Sequence, residues 1–474
     1  PNPQSPYFIY FILNCIFNLF NLFALFNFLR MAIEKILLSE EERNNIIPYK
    51  TIIIIIIIVI RIIENYFDFR QYRRLKENRP IPKELISFGL KQSNHEESQK
   101  YSLEKIKLSI FSSIFKNILT ILFIYYNINP LQYNISQKLC IYIPFIKFNP
   151  ENEYGPLFSF LFLEILFLTI LELPFELYKT FILEEKFGLN KTTIKIFIKD
   201  QIKGFIISLI IYPLIISPLV YIIIKGGKYF YIFTEIFAII LLFIFMWAYP
   251  NIIQPLFNKF KEINEGDLKN GIMELANRVN YPLKKIYEMD ASQRNAHSNA
   301  YLFGFWKNKR IVLYDTLIKN LSIKEIEGVL GHEFGHYAKW HIVILLFISF
   351  TNIFLIFFLL QFFINEIGIY ISFGFEQKSI FIGLYLYSII FSPFTFFINI
   401  IQNCITRKLE YEADKYSYEL GYKDYLIRAL CKLYENNKSD LDPDSLYSIV
   451  NNSHPTLIER IRALNNYQDD KKEN

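Results

Sequence analysis

The stretch GHEFGHYAKWHIVILLFISFTNIFLIFFLLQFFI, Gly331 to Ile364, sets three histidines directly before a run without Asp, Glu, Lys or Arg. Crossing a bilayer as a helix takes roughly 20 apolar residues, and the run from His341 to Ile364 is long enough. The chain has only 6 histidines in 474 residues, so composition does not explain their clustering here.

Outward from this stretch, similar apolar runs recur at about 46–66, 107–128, 155–178, 204–224, 229–249 and 379–403. With 341–364 they predict seven transmembrane helices. Hydrophobic residues make up 52% of the chain, charged residues 20%, and the mean hydropathy is +0.22. The charged fraction is below the quarter or so of soluble domains. The reading is an all-α polytopic membrane protein. The net charge of +6 is spread over the loops, which topology explains and which predicts no nucleic-acid partner. Cys15, Cys140, Cys404 and Cys431 are scattered without a CxxC, so no disulfide framework or cysteine metal site is expected.

The loops alternate in charge. RQYRRLKENRPIPK, Arg70 to Lys83, is strongly basic, 179–203 carries six lysines, 250–340 is a long lysine-bearing polar segment, and 404–474 is again polar. The positive-inside rule puts these segments in the cytosol. The expected organisation is an N-terminal extension (1–45), transmembrane helices 1–5 (46–249), a polar segment ending in the histidine cluster (250–340), helices 6–7 (341–403) and a C-terminal polar segment (404–474). Within the extension, the apolar stretch Tyr7 to Leu29 reads either as an extra span or signal-like segment or as sequence ahead of a start at Met31. The last residues, KKEN, read either as an endoplasmic reticulum retrieval signal or as a solvated charged tail.

His332-Glu333-Phe334-Gly335-His336 is H-E-x-x-H. On a helix, residues i and i+4 share a face, so His332 and His336 can reach one metal ion. Glu333 beside it can act as general base on a water. Gly331 and Gly335 weaken the helix, unless close packing requires them. His341 is read as an interfacial histidine rather than a ligand. Catalytic zinc takes three protein ligands and leaves the fourth position open, so a third ligand must come from elsewhere. Glu410 in RKLEYEAD, Arg407 to Asp414, is the best candidate. Asp414, one turn on, can accept a hydrogen bond from a histidine ligand and fix its tautomer. The plain alternative is a solvated acidic helix face, which a two-histidine site in need of a partner disfavours. In SHPTLIER, Ser453 to Arg460, His454 and Arg460 can donate to a developing oxyanion. Arg460 can instead clamp a carboxylate, or the segment is simply a surface helix.

With these residues the chain resembles the type I CaaX prenyl proteases, integral-membrane zinc metalloproteases of the endoplasmic reticulum. The likeness runs through DFRQYRRLKENRPIPKEL, ELYKTFILEEKFGLNKTT, PLFNKF, HSNAYLFGFWKNKRIVLYDTL, GHEFGH, RKLEYEAD and SHPTLIER, over roughly 46–465. It implies seven membrane helices around a water-filled chamber, with a cytosol-facing gluzincin-type metalloprotease domain and a small β element near 297–314. It implies one Zn2+ per chain on His332, His336 and Glu410, Glu333 as base, and His454 and Arg460 in the active site. It further implies that Asn299, Ala300 and Tyr301 hold the substrate backbone along a strand edge. The implied partners are prenylated CaaX proteins or peptides and membrane lipid. The implied reaction is removal of the C-terminal tripeptide, with a second upstream cut in some members. Two other readings share the sequence: a quality-control protease acting on misfolded or stalled membrane proteins, and a non-catalytic membrane chamber.

Overall fold

The computed structural model describes residues 48–142, 150, 152–294, 296–304 and 309–467. The N-terminal apolar stretch, the KKEN tail and Phe305 to Asn308 lie outside the described residues.

Long apolar runs form long helices. These are α1 (Tyr49–Lys76), α2 (Gln92–Tyr125), α4 (Tyr154–Tyr178), α5 (Ile194–Gly226) and α6 (Phe230–Ala248), with the short, more polar α3 (Ile128–Leu139) between α2 and α4. The soluble segment contributes α7 (Asp267–Arg278) and α8 (Ile323–Ala338). Then come α9 (His341–Phe363), α10 (Ile380–Glu419), α11 (Lys423–Asn436), α12 (Ser445–Asn451) and α13 (Leu457–Asn466).

Five helical segments among the described residues are long and apolar enough to cross a membrane: Gln92–Tyr125, Tyr154–Glu184, Ile194–Phe257, His341–Phe363 and Ile380–Glu419. Ile194–Phe257 holds two of the expected spans, because the chain turns at Gly227 (φ +55°) and α5 and α6 pack together. The first expected span lies in α1, where Lys50, Arg61 and Glu64 interrupt the isoleucine run and keep it out of the five. Ile198, Ile202, Ile206 and Ile210 are exposed at four-residue spacing along α5. An apolar stripe of this size open to water would be unfavourable, so it faces lipid.

The β structure is larger than the expected element near 297–314. Four strands, β1 (Phe260–Glu262), β2 (Leu283–Met289), β3 (Ala300–Phe303) and β4 (Lys309–Tyr314), form one sheet in the order β1-β2-β4-β3. β2 and β4 are parallel, and the outer pairs are antiparallel. β2 is hidden in the sequence by Lys284 and Lys285, since only Ile286 and Met289 of its LKKIYEM are buried. Ile286, Ile311 and Leu313 from the sheet pack with Ile272 and Leu275 of α7 and with Ile326, Leu330 and Phe334 of α8. This core fixes α8 against a rigid platform.

The basic end of α1 and the residues just after it are held by acidic residues far along the chain. Arg70 makes a two-pronged contact with Asp444 at 3.1 and 2.9 Å. Gln71 donates to Asp440 at 2.6 Å, and Arg74 to Asp442 at 2.7 Å. Arg79 also reaches Asp442.

Candidate functional site

Helix α8 starts on a capping box. Ser322 caps the backbone N–H of Glu325, whose side chain accepts from the Ser322 N–H, and this satisfies two otherwise orphaned donors. The helix lies very close to α10 and α11. A Cβ at Gly335 would stand 2.8 Å from Cα of Ala413, and one at Gly331 would stand 2.9 Å from Oγ of Ser417. The glycines of GHEFGH thus serve close packing. They bring Glu410 and Asp414 of α10 against the histidines of α8.

His332, His336 and Glu410 each present a ligand atom within 4.8 Å of the others. The two Nε2 atoms face each other at 3.2 Å. Glu410 lies 3.3 Å from Nε2 of His336 and 3.5 Å from Nε2 of His332. Behind them, Nδ1 of His332 meets the fully buried Asp414 at 2.8 Å. That carboxylate holds the proton on Nδ1 and turns the Nε2 lone pair toward Glu410.

The set fits a divalent metal ion. Oε2 of Glu410 is buried without a hydrogen bond of good geometry, although Nδ1 of His454 lies 2.8 Å away. Two imidazole lone pairs and a carboxylate converging on one point repel one another, and a shared cation satisfies all three. Without metal a proton takes that role. Burial opposes the charge on His332, but the hydrogen bond to Asp414 and the nearby Glu410 carboxylate outweigh burial and raise its pKa to about 9. Two histidines and a carboxylate are also a donor set that suits zinc.

Glu333 points its carboxylate at no hydrogen-bond or ion-pair partner among the described residues. Burial pushes this carboxyl above the ordinary range, the direction a general base working near neutral pH requires.

Arg460 sits behind the histidines. Its Nε and Nη2 grip Asp414 at 2.8 and 2.5 Å, and Nη2 lies 3.3 Å from Nδ1 of His332. The side chain is buried. The segment is therefore not a free surface helix. Thr456 caps α13 in a capping box with Glu459, and this sets His454 just before the helix. His454 is largely exposed on its other side.

β3 is an edge strand, paired among the described residues with β4 alone. Ala300 is buried opposite Leu313, and Tyr301 donates to Gln254 at 2.8 Å. The carbonyl of Asn299 already accepts from Tyr314 N–H at 3.1 Å, and its side chain accepts from the Ala300 N–H.

The chain is 37% identical over 426 residues to the CAAX prenyl protease 1 homolog of Arabidopsis thaliana, covering 88% of this chain and 98% of that relative. This chain belongs to the CAAX prenyl protease family of M48 peptidases. Two family models match it, one described as CAAX prenyl protease N-terminal, five membrane helices, over residues 71–259, and peptidase family M48 over 262–468. The human CAAX prenyl protease 1 homolog is 34% identical, over 85% of this chain and 92% of the relative. The crystal structure of S. mikatae Ste24p matches with a TM-score of 0.81 and 36% identity, over 88% of this chain and 99% of that one. The molecule is thus a multi-pass membrane metalloprotease.

Two positions in this M48 protease escaped the sequence reading. His341 is fully buried, not interfacial. Trp340, in the left-handed region at φ +60°, turns the chain between α8 and α9. This turn places Nδ1 of His341 2.9 Å from Nδ1 of His336, with Nε2 3.2 Å from Glu412. Arg407, one turn before Glu410, donates to Oγ of Ser448 at 3.1 Å, to the His454 carbonyl at 3.0 Å and to Glu459 at 2.7 Å. It holds the loop that presents His454. The signal for Arg407 was its i−3 spacing from Glu410, which puts both on one helix face.

Proposed function

We propose that this protease removes the C-terminal tripeptide from prenylated CaaX proteins at the cytosolic face of the endoplasmic reticulum membrane. It uses one zinc ion held by His332, His336 and Glu410. The observation that carries this reading is the convergence of those three ligand atoms beside the unpartnered Glu333 carboxylate. The names of the relatives supply the substrate class. The basic loops support the cytosolic placement of the site.

Bound zinc would polarise the scissile carbonyl and make a water acidic enough to attack near neutral pH. Glu333 takes the proton from that water and hands it to the leaving amine. His454 faces the same site from the loop held by Arg407, and its second ring nitrogen donates to the developing oxyanion. Arg460 acts through Asp414, which fixes the tautomer of His332. The open edge of β3 at Ala300 and Tyr301 aligns the substrate backbone by strand addition, with Asn299 as a polar contact. The reading includes seven helices around a chamber, with a gluzincin-type domain, and the Ste24p likeness supports its helical membrane fold. The chamber would take the prenyl chain against apolar helix faces.

The test uses purified protein in detergent with a farnesylated C-terminal peptide and its non-prenylated twin. Release of the tripeptide from the prenylated peptide alone supports the reading. Equal cleavage of both would move it to a general membrane protease.

A further inference from the structure

A cavity of about 490 Å³ opens beside the site, between α1 and α2 on one side and the 434–456 region on the other. His454 lies in its wall, and Nδ1 of that histidine is 2.8 Å from Glu410. The volume falls within the ~300–1,000 Å³ of small-ligand pockets. Most of the lining is polar, including Ser102, Ser109, Asn451 and Asn452. An apolar chain would leave those groups without hydrogen bonds, so the prenyl group does not belong here.

Apart from His454, two lining side chains can carry charge, Lys105 and Asp440. Asp440 is already satisfied: one oxygen accepts from Gln71 at 2.6 Å and the other from the Asp442 N–H at 3.1 Å. Lys105 makes no ion pair among the described residues. Its ammonium lies 5.1 Å from the ring centroid of Tyr101, and Lys179 and Glu184 act on it only at longer range. Ser102 and Ser109 are at i−3 and i+4 from Lys105, so all three share one face of α2. The wall therefore offers one uncommitted cation flanked by hydroxyls, the chemistry of a carboxylate site.

The proposed substrate carries such a group. A peptide cut three residues from its end presents a free terminal carboxylate roughly 10 Å past the scissile bond when extended. We propose that this cavity receives the departing tripeptide and that Lys105 binds its terminal carboxylate, setting the distance from chain end to cut. The proposal rests on the prenyl protease reading above. It makes Lys105 a specificity residue that does not touch the reacting atoms.

The experiment compares a farnesylated peptide ending in a free acid with the same peptide ending in an amide. The enzymes are wild type, Lys105→Met and Lys105→Arg. For wild type, the amide should raise KM about 10- to 100-fold, as expected for loss of a charge-assisted contact. Lys105→Met should treat acid and amide alike, both near the wild-type amide value, and Lys105→Arg should restore most of the preference. Zinc content and Tm of the variants check folding. Equal KM for acid and amide in wild type overturns the proposal, as does a Lys105→Met enzyme that keeps the wild-type ratio. A non-prenylated acid peptide separates the two readings. If it is cleaved as well as the farnesylated one, the prenyl reading fails while the acid-to-amide ratio still tests Lys105.

Discussion

Nδ1 of His336 and Nδ1 of His341 face each other at 2.9 Å. One must donate and the other accept. If Nε2 of His336 holds a metal, its proton sits on Nδ1 and points at His341, whose Nε2 proton then points at Glu412. A line of two imidazoles and a carboxylate therefore orients one ligand, as the direct contact with Asp414 orients the other. Replacing His341 with Ala should weaken zinc binding about 10- to 100-fold, read by competition with a chelator. Unchanged affinity would mean that the line does not orient His336.

Glu333→Gln should retain zinc and fold normally, yet lower kcat by about 10²–10⁴-fold, the usual worth of a positioned general base. Metal analysis beside peptide cleavage checks it. Near-wild-type turnover would remove Glu333 from the mechanism.

Zinc uptake should depend on pH. His332 in the metal-free site has its pKa raised to about 9, so binding at pH 7 displaces a proton from it. Zinc affinity should climb from pH 7 toward 9 and fall in acid. Titration calorimetry in buffers of different ionisation enthalpy should report about one proton released at this residue. Asp414→Asn should flatten the dependence, because the hydrogen bond that raises the pKa is weakened.

Gly335→Ala forces a methyl group against the backbone of Ala413. The overpacking should cost about 1–3 kcal/mol and push α8 from α10. Loss of zinc together with a lower Tm is the expected outcome. A variant that keeps both would show that the helices can separate without disturbing the ligands.

Arg407→Ala should lower kcat more than it raises KM, because it frees the loop carrying His454 while leaving the metal ligands in place. Steady-state kinetics with unchanged zinc content is the check. A change confined to KM would point to substrate binding instead.

The sequence carried much of this because its signals were local. H-E-x-x-H and E-x-x-x-D declare themselves through helical spacing, and the uncharged runs through length. What stayed hidden depended on turns and distant partners. His341 looked interfacial because nothing local shows that Trp340 adopts positive φ and folds the chain back. β2 was concealed because its lysines break the apolar alternation. Arg460 offered two chemical roles from sequence, and only its 2.8 Å contact with Asp414 shows which neighbour it serves. The basic residues at the end of α1 looked like a topology signal, yet Arg70, Gln71 and Arg74 are also paired with named carboxylates.

Those pairs tie residues 70–79 to residues 440–444, with more than 350 positions between them. The ribosome must therefore finish nearly the whole chain before the end of α1 finds its partners, and Glu410, His454 and Arg460 also emerge late. Closure of such distant ends is slow compared with local helix formation. Until then the histidines of α8 lack Glu410, the proposed third ligand, and Asp414, the partner of His332. On the proposed site, proteolytic competence would arrive only with completion of the chain.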